Sequence, residues 1–126
     1  MSIQKETDLG NIKISEDAIA TLAGGVVTES YGIVGMASQK ILKDGLAELL
    51  GKENYSKVIV VRESADKQLE LDLYVVVGYG VKITEVVYEV QKKVKYVLEK
   101  TLEVKFKSVN IYVQGVRVMH HIHIIL

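Results

Sequence analysis

Between residues 69 and 98 the apolar positions change period, and that change constrains the fold more than any other feature of the chain. Leu69, Leu71, Leu73, Val75 and Val77 alternate with Glu70, Asp72, Tyr74 and Val76, the two-residue repeat of a half-buried strand. From Ile83 the apolar set becomes Ile83, Val86, Val87, Val90, Val94, Val97 and Leu98, at helical spacing, while Glu85, Glu89, Lys92, Lys93, Lys95 and Glu99 point elsewhere. A strand with one apolar face followed by a helix with one apolar stripe buries both by laying the helix on the sheet.

The flanking segments extend this unit. Val58 to Val61 is a β-branched run, expected to pair with the long strand as an antiparallel hairpin through Glu63 to Gln68. Phe106, Val109, Ile111 and Val113 form a last strand, expected beside the hairpin after a crossover through the long helix. Upstream, Leu9, Ile12 and Ile14 around Gly10 read as a short edge strand that ends at Ser15. Ser15 then starts a helix whose Ala18, Ile19, Leu22, Ala23, Val26 and Val27 share one face as far as about Ser30. Gly24 and Gly25 inside it predict close approach of another backbone. Gly32 to Met36 reads as a turn packed into the core, and Ile41, Leu42, Leu46, Leu49 and Leu50 as a second, shorter helix ending near Gly51.

The predicted fold is α/β (α+β), a two-layer sandwich in which a small mixed sheet carries helices on one face, in the order β-α-(α)-β-β-α-β. Its helix-free face is expected to hold Glu70, Asp72, Tyr74, Val76, Asn110 and Tyr112. With no proline and no Ser/Gly-rich stretch to mark a linker, residues 1–118 read as one domain and 119–126 as a tail derived from a tag.

Composition excludes several function classes. The chain has no cysteine, so thiol nucleophiles, disulfides and cysteine metal sites are absent. Its 16 Lys+Arg balance 16 Asp+Glu, which removes the whole-molecule positive field that gathers nucleic acid or anionic lipid. Met1 to Asp8 is polar and lacks a signal core, and no apolar run approaches the roughly 20 residues of a membrane span. The expected location is the cytoplasm, with any membrane association peripheral, at the inner face and through a partner.

Nothing in the chain assembles a catalytic set. A Ser-His-acid arrangement needs a histidine beside a reactive serine, yet His120, His121 and His123 all lie in the last seven residues. His121 and His123 share one face of an extended segment and suit a divalent metal, but a terminal histidine cluster is what a purification tag leaves, so no metal site is assigned. Glu70/Asp72 and Glu85/Glu89 read as solvated faces. Gly78-Tyr79-Gly80 follows a strand and precedes a helix, but Ile83 stands where a dinucleotide-binding fingerprint needs its third glycine. No enzyme activity and no cofactor are expected.

Gly32-Ile33-Val34-Gly35 has the GxxG spacing of the nucleic-acid-binding KH domains, which makes a weak RNA-binding module the alternative reading. Its two central residues are apolar, and the nearest basic stripe, Lys92, Lys93, Lys95 and Lys100, is diluted by Glu89 and Glu99. Nucleic acid is therefore a disfavoured partner.

An ordered set of motifs resembles a known family. Gly10-Asn-Ile-Lys-Ile14, Ile19 with Ala23-Gly24, and Tyr31-Gly-Ile-Val-Gly-Met36 are followed by Leu71-Asp-Leu-Tyr-Val-Val-Val-Gly-Tyr-Gly80, then Ile83, Val86, Gln91 and Val94, then Val109-Asn-Ile-Tyr-Val113 with Gly115-Val116. From about residue 8 to 118 this pattern resembles the alkaline shock protein family, the Gls-type general stress proteins of Gram-positive bacteria. The resemblance implies a cytoplasmic protein linked to alkaline or cell-envelope stress, with some members held near the membrane by a membrane-anchored partner and prone to self-association. It supplies no catalytic residues.

The resulting expectation is a non-enzymatic interaction or scaffolding protein in envelope stress or homeostasis, whose partners are proteins and which forms a homo-oligomer. The candidate contact residues are Tyr31, Gly32, Gly35, Met36, Tyr74, Tyr79, Gly80 and Tyr112, where glycines allow close backbone approach and tyrosines supply aromatic area.

Overall fold

The computed structural model of the chain describes residues 2–36 and 58–118. It opens with an antiparallel hairpin of β1 (Ser2–Thr7) and β2 (Gly10–Ser15). The turn is closed by Thr7, whose Oγ1 accepts the Leu9 N–H at 3.1 Å and donates to the Gly10 carbonyl at 3.2 Å. The polar first residues thus form a strand where none was expected, because Ile3 enters the core and its cross-strand partner Ile14 packs against it. Leu9, expected to belong to a strand, stands fully exposed at the tip.

Helix α1 (Glu16–Thr28) starts where Ser15 predicts, its hydroxyl accepting the Ala18 N–H at 3.1 Å, with Glu16 and Asp17 in the first turn. The helix buries Ile19, Ala20, Ala23, Gly24, Val26 and Val27. It stops two residues earlier than expected, because the Thr28 hydroxyl donates to the Gly24 carbonyl at 3.0 Å and the Ser30 hydroxyl to the Val26 carbonyl at 2.8 Å, which satisfies the last turn locally. The close approach expected at Gly25 is absent: a Cβ there meets nothing within 4 Å.

The segment read as a turn is in part a strand, β3 (Ile33–Met36), antiparallel to the end of the long strand. The reason is backbone demand. β4 (Ile59–Glu63) pairs with only Leu69–Leu73 of β5 (Leu69–Gly78), so the same edge of β5 at Val75–Val77 needs another partner, and β3 supplies it. The expected hairpin of β4 and β5 is present, closed where Ser64 N–H donates to the Gln68 carbonyl at 2.8 Å.

Helix α2 (Ile83–Leu102) follows, and β6 (Phe106–Arg117) returns parallel to β5 on its other edge. α2 buries Val86, Val90, Val94, Leu98 and Leu102, one every four residues, each worth about 1.5–3 kcal/mol against exposure. Both helices pack on one face of this mixed sheet, α1 over β3 and β4 and α2 beside β6, which makes the two-layer sandwich. Leu71, Leu73, Val75 and Val77 of β5 enter the core between the layers. The hairpin is tied to the far end of α2 by Lys5 Nζ, which donates to the Glu103 carbonyl at 2.7 Å. The helix expected near residues 41–50 and the terminal histidines lie outside the described residues.

Candidate functional site

The face of the sheet that carries no helix among the described residues is built by register. In the parallel pair, Glu70 lies beside Ser108, Asp72 beside Asn110 and Tyr74 beside Tyr112. Two bulges in β6 make this alignment possible. Lys107 is the extra residue between Phe106 and Ser108, and Gln114 the extra residue between Val113 and Gly115. Without the first, Phe106 and Ser108 share one face; with it, Phe106 enters the core while Ser108 turns to the open side.

Asp72 is the centre of this face. Although it stands on the face opposite α1 and α2, it is only 7% exposed. Its carboxylate accepts Arg62 Nε at 2.7 Å and Nη2 at 3.0 Å, and Asn110 Nδ2 at 2.9 Å. Asn110 also donates to Ser108 Oγ at 3.3 Å, Ser108 Oγ donates to Glu70 Oε1 at 3.0 Å, and Arg62 Nη2 lies 3.6 Å from that same Glu70 oxygen. Bidentate donation from Arg62, aided by Asn110, holds the Asp72 carboxyl below the usual carboxylate range against the opposing effect of burial. The Arg62 guanidinium is held more firmly protonated in return.

Beside this polar strip, the rings of Tyr74 and Tyr112 stack with centroids 5.0 Å apart and planes 19° apart. The face therefore combines a fixed pattern of donors and acceptors with an aromatic pair. The buried Asp72 carboxylate is kept ionised by an arginine, so it is a poor proton donor, and the Ser108 hydroxyl lies between Glu70 and Asn110. Among the described residues no group of three or more His, Cys, Asp or Glu converges as a metal site.

The eight residues expected to make contacts fall in three places. Tyr74 and Tyr112 lie on the open face. Tyr31 and Gly80, with Lys82, Glu85 and Glu89, line a cleft of about 680 Å³ between the end of α1 and the start of α2. Tyr79 is exposed near it at the end of β5, where its N–H donates to the Arg117 carbonyl at 2.9 Å. Gly32 lies behind the cleft against its lining residue Val86: at φ +87° a Cβ there meets Val86 Cγ1 at 2.9 Å. Gly35 and Met36 are buried in β3, Met36 at 1% exposure, so neither offers a contact surface.

The GxxG segment lies in and before this short strand, with Ile33 and Val34 partly buried, which is not an open phosphate-clamping loop. Within the lysine stripe, Lys92 pairs with Glu89 at 3.0 Å and Lys95 with Glu99 at 3.2 Å. Arg62 and Ser108, absent from the expected face, are both members of its hydrogen-bonded network. Alternation along Val58 to Val61 places Arg62 on the open side, and alternation with Val109, Ile111 and Val113 places Ser108 there; what the Lys107 bulge adds is the inward turn of Phe106.

A family model matches residues 4–118. The chain is 52% identical over 118 residues to the uncharacterized protein YloU of Bacillus subtilis, covering 94% of this chain and 98% of that relative. It is 45% identical over 119 residues to the uncharacterized protein Spy1614 of Streptococcus pyogenes, with 94% and 98% covered. It is 29% identical over 113 residues to the uncharacterized protein YqhY of Bacillus subtilis, with 90% and 82% covered. No solved structure matches the chain. The matched model is that of the alkaline shock protein 23 family, described by a cell envelope-related function, and the chain belongs to that family.

Proposed function

We propose that the chain is a non-enzymatic interaction module with a cell envelope-related function, and that the open sheet face is its contact surface for a protein partner. The observation that carries this reading is the pre-paid order of the face. Arg62, Asp72, Asn110, Ser108 and Glu70 are already hydrogen-bonded to one another, and Tyr74 is already stacked on Tyr112, so binding there costs little further side-chain entropy. Tyrosine and arginine are also the side chains that dominate contact energy at protein interfaces. No helix of the described residues is long and apolar enough to cross a membrane. A place at the inner membrane face, during envelope stress or homeostasis, follows in this reading from a membrane-anchored partner.

The test is affinity capture with a face variant. Val60 lies on the open side of β4 opposite Asp72 and is 37% exposed, so Val60→Lys alters the face beside a carboxylate that tolerates a cation. The expected result is loss of a specific partner from Val60→Lys and its retention by Tyr79→Ser, which changes the far end of β5. Retention by both variants removes the face from the interaction, and turnover of a small molecule with no partner captured overturns the module reading.

A further inference from the structure

Helix α2 holds one half of the outer edge of β6 with polar side chains and lines the other half with aliphatic ones. Glu99, Lys95 and Gln91 form a row along the helix at four-residue spacing. The Glu99 carboxylate accepts the Phe106 N–H at 2.7 Å, Lys95 Nζ donates to the Phe106 carbonyl at 2.8 Å, and Gln91 Nε2 donates to the Val109 carbonyl at 2.9 Å. Helix and strand therefore run antiparallel. The next members of the row are Val87 and Ile83, whose side chains neither donate nor accept. Four helix residues advance about 6 Å and two strand residues about 6.6 Å, so Val87 stands level with Ile111 and Ile83 with Val113.

Backbone groups along a strand point alternately to its two neighbours. Phe106 and Val109 face away from β5, with the Lys107 bulge accounting for their odd spacing, so the next outward residues are Ile111 and Val113, up to the Gln114 bulge. Among the described residues β6 pairs only with β5, so the capped half of the edge gives way to an open half at the point where the helix row turns aliphatic. Val87, Ile111 and Val113 are half-buried there and Ile83 is 37% exposed. A groove of about 310 Å³ lies at the last cap, between Tyr88, Gln91 and Lys92 of the helix and Val109 and Asn110 of the strand.

We propose that this edge takes an extended segment of a partner protein as an added strand, with aliphatic residues at alternate positions and acidic residues between them. Open backbone groups supply hydrogen bonds to a strand of any sequence, and the alternating side chains decide which sequence fits. One set turns to the helix side, where Val87 and Ile83 offer only aliphatic surface; the other turns to the open face. The acidic set follows from the charges of β6, which holds no carboxylate and whose two charged residues, Lys107 and Arg117, bracket the open half. Asp66 lies 3.6 Å from Lys107, at the capped end. A second β6 laid antiparallel about Tyr112 sets Lys107 opposite Arg117, whereas a segment with acidic residues meets both with the opposite charge. The inference rests on the reading of the chain as an interaction module, but on a surface separate from the Arg62–Asp72 network.

The probe is a labelled peptide of alternating valine and aspartate, followed by fluorescence polarisation. The wild type should bind it saturably. Val113→Pro removes an outward N–H without breaking a bond to β5, and Val87→Gln adds a further cap to the helix row at the level of Ile111. Each should weaken binding about tenfold or more with an unchanged circular dichroism spectrum. A peptide of alternating valine and lysine should bind the wild type about tenfold more weakly. Val60→Lys, which alters the open face, should still bind the aspartate peptide, so this inference and the reading of the face fail separately. No saturable binding by the wild type, binding untouched by either edge variant, or equal binding of the lysine peptide each overturns the proposal. So does a wild-type dimer that Val113→Pro dissolves, which gives the edge to a second copy, and so does a gain of binding on removal of residues 119–126, which gives it to the chain's own end.

Discussion

Arg62 on β4 reaches past its own backbone partner, Glu70, to grip Asp72 two residues further along β5. The residue directly opposite Asp72 is Val60, which brings no polar group. This diagonal reach serves both carboxylates from one guanidinium, at 2.7 Å from Asp72 and 3.6 Å from Glu70. It also lets Asn110 complete the Asp72 shell from the other side.

Replacing Asp72 should separate the charge from the hydrogen bonds. Asp72→Ala leaves Asn110 without its acceptor and Arg62 without its bidentate partner, and is expected to cost about 1–3 kcal/mol. Asp72→Asn keeps an acceptor at one oxygen and should cost less. Urea denaturation of both variants at neutral pH checks the order, and equal losses would show that the side-chain bonds contribute nothing.

The pH dependence has a definite sign. Arg62 lowers the Asp72 carboxyl in the folded state, and the backbone N–H of Phe106 lowers that of Glu99. A carboxyl lowered on folding contributes stability that is fully present above its unfolded value, about 3.9 for Asp and 4.3 for Glu, and is lost as pH falls through the folded value. The urea midpoint should therefore fall in acid below about pH 4, and less steeply in Asp72→Asn and in Glu99→Gln. An acid limb identical in wild type and both variants would assign the loss to other groups.

Two glycines should respond to alanine with opposite signs. Gly25 is inside α1 with open space where a Cβ would stand, so Gly25→Ala should stabilise by about 0.5–1 kcal/mol through helix propensity. Gly32 combines φ +87° with a Cβ position 2.9 Å from Val86 Cγ1, so Gly32→Ala should destabilise by about 1–3 kcal/mol or more. Thermal melts of the two single variants, compared directly, decide the matter.

The double change Tyr74→Ser with Tyr112→Ser tests whether the stacked pair belongs to the surface or to the core. Neither residue is in the apolar cluster, so the fold should persist with a loss of about 0.5–1.5 kcal/mol for the stack beyond the area exposed. Unfolding would place the pair in the core, contrary to its position on the helix-free face.

Much of the fold was readable because it is written in local period. β5 and α2 declare themselves through alternation and through a four-residue spacing, and Ser15 announces α1 through a side-chain bond to a residue three positions away. Glu70, Asp72, Tyr74, Asn110 and Tyr112 reached the open face by parity alone. β3 could not be read this way. Four residues containing a glycine and a bulge carry no periodic signal, and only the vacant upper edge of β5 makes them a strand.

What the amino-acid order determined by itself is which residues alternate, which recur at helical spacing and which end a helix, since these depend on neighbours within a few positions. Tertiary structure decided the rest. It selected Arg62 as the partner of Asp72, set Ser108 beside Glu70 through the parallel register of β5 and β6, turned Phe106 into the core through the Lys107 bulge, and turned Gln91, Lys95 and Glu99 from an ordinary polar helix face into caps on a strand edge. Those pairings join positions far apart in the chain, and their geometry depends on strand register and helix placement. Register is a collective property of the folded sheet, where one inserted residue moves every later side chain to the other face.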